Sequence, residues 1–507
     1  MRSKILIILA LLLIAFLLIA QSGRGNRMLK IGIESDLDGL TPWDYYTVLS
    51  GKILWNIFEP LVAIKEDTTE IRPYLAASWE ASNNNRTWLV RLREGIKFHD
   101  GSTMTADDVV ASSRIFLGFG ARAEKVDQYS VRFNLPEPNG TFLNRMAQTG
   151  FTIAPAKTAN SYQDLKKANR LSEFIPIGTG PFKFSHQEKG KEIVLESFSD
   201  YWQGAPWLEG LVYRIIPDNN ARISALEKGE IDVIDVVFPA DLSRLNNNKN
   251  VKVLSKYGMS VCFIAINTTK KPLDNIEVRQ ALNFAIDKMR LARMFYYGGY
   301  GVPTNRVLSP AFWGFNALPR PGKYNPQEAK RLLADAGYND GLSLTLVRAP
   351  KSRPDLLDPK GVAEEVKKEL AKVDVNVNII EPPTWNDFSS ILEKGDFDLE
   401  LSGWIEESGS PDYILSALLS DEVYSYNNAH WHNELFDEKL MAARRLHPND
   451  IQGRIKLYNE AQGILQEEAP WIPLFHTKIF LVYNSNIKGI IFYPSSMISY
   501  HKVTIVE

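Results

Sequence analysis

The chain has 507 residues, too many for one ordinary core and in keeping with about three domains. Apolar residues make up 45% and charged residues 23%, the balance of a globular chain and not of a disordered one. With 58 basic against 60 acidic residues the formal net charge is −2, which excludes a basic field for gathering nucleic acid.

At the N-terminus Arg2 and Lys4 precede an uncharged apolar run from Ile5 to Ala20, followed by Gln21-Ser22-Gly23. A charged start, an apolar stretch and small residues at a cleavage position read as a secretory signal within 1–27. The run also approaches the roughly 17–25 residues of a spanning helix, so an N-terminal membrane anchor over 5–20 is the other reading. No second segment of that length occurs, which places the rest of the chain outside the inner membrane. Cys262, the one cysteine, lies in the apolar run Val261-Cys262-Phe263-Ile264 and reads as a buried, inert thiol.

The first strand is predicted over Leu29–Glu34 and a helix over Val48–Phe58. Thr87–Leu92 alternates, with Trp88, Val90 and Leu92 on one face of a strand. Asn83-Asn84-Asn85 before it and Asp100-Gly101 after it are turn chemistry. Thr105 and Asp108 form a capping box for a helix. His99 and Asp100 read as turn residues and not as a catalytic pair. A strand follows at Ser130–Leu135. The Gly/Pro run Ile175–Phe182 marks a domain boundary.

Further strands are expected at Ile193–Phe198, Val212–Ile216 and Ile231–Val236, with a helix over Asp218–Lys228 that gives an α/β layer. Val261–Asn267 is a buried strand taken as the crossing into a third domain. Glu277–Lys288 carries apolar residues at helical spacing. Asn325, Pro326, Glu328 and Gly337 start and stop another helix. Ser343–Arg348, Val373–Ile379 and Asp396–Ser402 read as strands, with a helix over 361–372 between the first two. Helices are expected at Asp437–Leu446 and Ile451–Glu468. Pro470–Phe475 leads into strands at Ile479–Tyr483 and Gly489–Tyr493.

The spelling of several segments says more than their periodicity. The stretch from Arg72 to Val110, Gly178-Thr179-Gly180-Pro181-Phe182, Tyr201-Trp202-x-Gly204, Tyr213–Asp218, Val278–Leu282 and Tyr324-Asn325-Pro326-x-x-Ala329 closely resemble family 5 extracellular solute-binding proteins. These are the peptide- and nickel-binding receptors of bacterial ABC importers. The resemblance covers essentially everything after residue 28, and Tyr257-Gly258-Met259 through Pro272 is most similar to the dipeptide-binding branch. It implies an α/β, two-lobed periplasmic-binding-protein-like fold (type II, cluster C) with an extra inserted domain. Lobe 1 would be discontinuous, over 28–58, 178–268 and 477–507; the inserted domain would span 59–177 and lobe 2 269–476. It also implies a monomeric, non-enzymatic receptor without a cofactor, periplasmic or at the cell surface. Its partners would be a peptide ligand and the permease subunits of an importer whose ATPase is a separate polypeptide. No cysteine stands near the cleavage region, so a lipobox anchor is not available.

The resemblance carries over two charged positions. In Gly403-Trp404-Ile405-Glu406-Glu407, Glu407 stands where the branch has an aspartate that pairs with the ligand amine. Ser410-Pro411 replaces the downstream Asp-Pro. In Ala349-Pro350-Lys351-Ser352-Arg353-Pro354, Arg353 stands where an arginine takes the ligand carboxylate, and a planar guanidinium suits that job. Two fixed charges make a ruler, because an extended peptide advances about 3.4 Å per residue. Trp404 would wall the cleft. Met259, Ser260 and Val261 would offer backbone groups to the peptide as an added strand does.

Other chemistry is weaker. His430-Trp431-His432 would share a strand face and are the only metal candidates, without a third ligand at recognisable spacing. Gly118–Ala123 fits a dinucleotide fingerprint formally but follows a helical pattern. No phosphate loop, zinc-protease or serine-hydrolase motif occurs. Alternatives are another cargo on the same scaffold (a nickel chelate, haem or an oligosaccharide), a membrane-anchored sensor, or a hydrolase of peptides or esters.

Overall fold

The computed structural model describes residues 27–44, 47–118, 120–296, 299–313, 324–422 and 426–506. The signal or anchor segment over 5–20 therefore lies outside the described residues, as does Phe119 of the glycine-rich run.

Chain order gives β1 (Met28–Ile33) and α1 (Val48–Leu54), then a smaller sheet built from β2 (Ala76–Ser82), β3 (Thr87–Leu92), β4 (Arg122–Asp127) and β5 (Ser130–Asn134). Its strand order is β2-β3-β5-β4. Alternation along β3 works as expected: Trp88, Val90 and Leu92 are buried. The β2–β3 turn holds Asn83, Asn84 and Asn85 all at positive φ, a conformation that asparagine tolerates better than most residues. Asp108 accepts the N–H of Thr105 at 2.8 Å and starts the helix Ala106–Phe116. His99 is a staple and not a catalyst. Its Nδ1 accepts the Gly178 N–H at 3.3 Å, and its Nε2 meets the Gly180 carbonyl at 3.0 Å. Burial lowers its pKa to about 4, so it stays neutral. Gly178 is also pressed against the chain at Ile57, where a Cβ would stand 2.0 Å from the carbonyl oxygen.

The remainder is organised by one 12-stranded sheet. It adds β6 (Phe182–Glu188), β7 (Glu192–Ser197), β8 (Gly210–Ile215), β9 (Val233–Ile234), β10 (Val251–Tyr257), β11 (Ser260–Ile266), β12 (Gly301–Pro303), β13 (Leu342–Arg348), β14 (Val375–Ile380), β15 (Leu399–Ile405) and β16 (Trp471–Asn484). The order is β6-β7-β8-β1-β9-β16-β11-β15-β13-β14, with β10 and β12 also on β16. β16 joins two halves: Lys478–Asn484 pairs with β10, and Trp471–Phe475 pairs with β11. One half packs around Leu29, Ile31, Phe58, Leu195 and Leu211. The other packs around Cys262, Ile264, Leu282, Leu346 and Val366. The opposite face of β11, Val261, Phe263 and Ala265, joins a third cluster with residues of the small sheet and of the C-terminal helices. Alternate residues of one strand thus serve two cores.

Three local expectations are corrected. Pro470–Phe475 is not a lead-in but the first part of the 14-residue strand β16. Pro473 pairs with Phe263 just beyond a register shift at Cys262/Phe263, and a bulge is where a strand accepts a residue that cannot donate. The helix predicted over Glu277–Lys288 ends at Ala285, because Asp287 accepts the Arg290 N–H at 2.9 Å and caps a new helix from Lys288. His430-Trp431-His432 forms no strand; His430 has φ +50° and Trp431 is buried, so the two imidazoles do not share a pleated face.

Candidate functional site

The halves meet at the carboxyl ends of their parallel strands. β1 runs parallel to β8 and β9, and Glu34 and Asp235 follow the ends of β1 and β9. β13 runs parallel to β14 and β15, and the loop 349–357 and the pair Glu406–Glu407 follow β13 and β15. Such ends are where open α/β sheets leave room for a ligand. A cavity of about 170 Å³ lies there, lined by Glu34, Lys52 and Asp235 from the first half, Tyr296 and Arg353 from the second, and Lys478 of β16. Val236, Leu357 and Phe480 supply apolar wall.

Charges of both signs line it. Lys52 Nζ donates to Asp235 Oδ1 at 2.6 Å, and the second Asp235 oxygen has no hydrogen-bond partner among the described residues. Glu34 has its pKa raised, chiefly by burial and then by the Asp235 charge. Arg353 reaches the cavity wall with its side chain one quarter exposed. Its Nε and Nη2 donate to Asp355 Oδ1 and Oδ2 at 2.9 and 3.2 Å, and Nη2 also donates to the Gly403 carbonyl at 3.0 Å. The Trp385 ring stands 5.8 Å from the guanidinium carbon.

The two neighbouring glutamates part company. Glu406 is fully buried, donates its N–H to the Met259 carbonyl at 2.8 Å, and accepts the Ser408 N–H at 2.6 Å. Burial pushes its carboxyl up to about 8. Glu407 is half-buried, and its Oε2 accepts the N–H of Thr149 at 3.4 Å. The Thr149 hydroxyl lies 3.5 Å from Met497 Sδ, next to Ser496 on the cavity wall. Arg353 and Ser496 line the cavity, and Glu407 connects through Thr149 to Met497, the residue after Ser496. Gly403, whose carbonyl Arg353 holds, and Glu407 are separated by no more than about 14 Å of chain.

Trp404 is half-buried, with Tyr413 and Tyr426 each 5.8 Å away edge-on. Ser410 does the work expected of an aspartate there: its hydroxyl accepts the Asp412 N–H at 3.3 Å and caps the helix Pro411–Ser416, since serine and aspartate are comparable N-caps. The backbone of Met259–Val261 is largely committed. Ser260 and Val261 pair with Ile405 and Trp404, the Ser260 carbonyl accepts from His476 Nδ1 at 2.8 Å, and the Ser260 and Thr477 hydroxyls are 2.8 Å apart. Cys262 is buried, with its thiol pKa raised well above the ordinary value by burial. His430 and His432 lie in a loop away from the cavity lining. Among the described residues no group of three His, Cys, Asp or Glu could hold a metal ion.

Glu34, Lys52, Asp235 and Lys478 were not singled out by sequence reasoning. No motif spans them. The only available signal was that Glu34 and Asp235 fall at or near the ends of strands legible in the sequence.

Comparison with known proteins places this geometry. The family described as bacterial extracellular solute-binding proteins, family 5 Middle, matches residues 70–426. Heme-binding protein A of Haemophilus influenzae is 33% identical over 484 residues, covering 89% of this chain and 87% of that protein. The dipeptide-binding protein of Escherichia coli is 30% identical over 480 residues, with 89% of each chain covered. A solved dipeptide-binding protein from Pseudoalteromonas, in complex with Met-Leu, superposes with a TM-score of 0.79 at 28% identity, covering 94% of this chain and 100% of that one. The mixed α/β, two-lobed architecture expected from the sequence is the one found.

Proposed function

The chain belongs to the bacterial extracellular solute-binding proteins of family 5, and from that premise we propose that it captures di- and short oligopeptides outside the cytoplasmic membrane and delivers them to the permease of an ABC importer. The observation that carries this reading is the cavity at the carboxyl ends of both parallel strand sets, with Arg353 on its wall and Glu407 in the loop that follows β15. Glu407 would hold the ligand amine, because a buried ammonium is costly unless a carboxylate pairs with it. Arg353 would face the far end of the peptide, and Trp404 would line the path between them. Backbone atoms of Met259, Ser260 and Val261 that remain outside the sheet pairing would complete the contact.

Capture works by lobe closure. A ligand touching both halves binds the closed state better and shifts the population towards it. For the lobes we propose crossings at Gly258–Met259 and at Thr477–Lys478, where β10 gives way to β11 and where β16 changes partners. The first lies earlier than the 268/269 division implied by the resemblance, because β11 is paired on both sides within the second half. The inserted segment 59–177 carries its own sheet and would move with the first lobe. Export would use the N-terminal segment 1–27. The partners would be membrane permease subunits with a separate ATPase, met by a monomeric receptor that performs no catalysis.

Calorimetric titration of the purified protein with a dipeptide library, each peptide paired with its N-acetylated form, tests the reading. Free-amine peptides are expected to bind in the micromolar range, about −8 kcal/mol, and acetylated ones far more weakly. Peptides recovered unchanged after long incubation are expected of a receptor. The name of the Haemophilus influenzae relative makes haem the second cargo, so hemin belongs in the same titration; saturable hemin binding with no peptide binding would overturn the peptide reading.

A further inference from the structure

Resting on the peptide reading of the cleft, we propose that Asp355 permanently occupies the carboxylate-binding edge of Arg353. The cleft then takes, at this end, an uncharged acceptor such as a peptide carbonyl or a C-terminal amide in preference to a free terminal carboxylate.

A guanidinium offers five N–H donors, and it grips a carboxylate well only when two parallel donors point the same way. On Arg353 the Nε/Nη2 edge is used by the two oxygens of Asp355, and Nη2 also serves the Gly403 carbonyl. The other edge needs Nη2 again, so it cannot form a second two-point grip. What remains is Nη1, which makes no hydrogen bond to the described residues and belongs to a side chain on the cavity wall. One such nitrogen can donate to a single carbonyl oxygen.

The charge balance points the same way. Arg353 and Asp355 together are neutral, and Asp355 is fully buried. An incoming carboxylate would lose its water against a pair with no net charge, a desolvation that nothing repays. An amide carbonyl loses far less water. The other charged groups on the wall leave no net excess: Lys52 is bound to Asp235, and Glu34 and Lys478 carry opposite charges.

Nor can Asp355 step aside easily. Arg353 and Leu356 exchange backbone hydrogen bonds at 2.9 and 3.0 Å, closing the turn that sets Asp355 beside Arg353. Tyr296 Oη donates to the Asp355 carbonyl and accepts the Leu357 N–H, both at 3.1 Å. Ser352 Oγ donates to the Leu357 carbonyl at 2.7 Å. On the far side the Asp355 carboxylate packs on Gly403, where a Cβ would come within 1.8 Å of Oδ2. The carboxylate sits in a slot cut to its shape.

The test uses the full mature protein and two probes, alanyl-phenylalanine and its C-terminal amide, with acetylglycine as a small monocarboxylate that needs only the Arg353 end of the cleft. Wild type is expected to bind the amide at least as tightly as the free acid. Asp355→Asn, which keeps the size and drops the charge, is expected to gain about tenfold or more for the free acid, to leave the amide within about threefold, and to acquire acetylglycine binding that wild type lacks. A wild-type preference for the free acid of about tenfold or more overturns the proposal without any variant having to fold. So does a folded Asp355→Asn protein with no gain for either carboxylate. If wild type binds neither peptide, the peptide reading fails on its own, and the acetylglycine comparison still decides the role of Asp355.

Discussion

Glu407 Oε2 accepts the backbone N–H of Thr149 at 3.4 Å, which ties the loop after β15 to a residue 258 positions earlier in the chain. Glu407→Gln is expected to weaken free-amine dipeptides by about ten- to a hundredfold, the usual worth of a charged hydrogen bond. N-acetylated peptides should change little. Calorimetry on matched pairs reads the difference, and equal losses for both would remove Glu407 from the amine site.

Gly403→Ala is expected to damage the Arg353 end of the cleft. The added Cβ meets the Asp355 carboxylate, and the buried acid has nowhere to go without breaking its pair with Arg353. Overpacking of this kind costs about 1–3 kcal/mol. Urea unfolding should show the loss, and the double substitution Gly403→Ala with Asp355→Gly should recover part of it.

Glu406 gives a pH signature. Burial raises its pKa to about 8, above that of the unfolded chain. A carboxyl raised in this way contributes its stability fully below the unfolded pKa, near 4.5, and loses it as pH rises through about 8. Gln at this position imitates the protonated acid at every pH. Thermal unfolding of Glu406→Gln should therefore match wild type near pH 4.5 and exceed it increasingly up to about pH 8, by a few kcal/mol at about 1.4 per pKa unit. A difference that shrinks with rising pH would contradict the assignment.

Phe263 of β11 stacks on Trp471 of β16 at 3.7 Å and an interplanar angle of 5°. Both rings are buried in the cluster that joins the inserted segment to the second half. Phe263→Ala is expected to cost about 3–5 kcal/mol, measurable as a lower denaturant midpoint, while Phe263→Leu should recover most of it.

Export through the segment 1–27 predicts a mature N-terminus downstream of Ala20. Intact-mass measurement of the protein from its native envelope decides this. A full-length chain in the membrane fraction would show the anchor reading instead.

Much of the fold was legible because its signals are local. Strand β3 follows from alternation at Trp88, Val90 and Leu92, and the Thr105–Asp108 box needs only neighbours in sequence. Pro473 misled the reading of β16, since a proline argues against a strand unless it sits at a bulge, and the bulge at Leu474 exists only in the register of β16 against β11. The His430–His432 pairing failed for a related reason: shared orientation at i and i+2 requires extended backbone, and His430 adopts positive φ.

The sequence by itself determined the family, the secondary elements and two charged positions worth watching, because these depend on spelling and on periodicity along one segment. Only the tertiary structure decided how those charges are used. The cavity collects Glu34, Lys52, Asp235, Arg353 and Lys478 from segments hundreds of residues apart. No sequence motif marks Asp355; the turn at Arg353–Leu356 and the missing side chain of Gly403 press it onto Arg353. Charge complementarity falls off over a few ångströms in a closed fold, and sequence separation says nothing about that distance.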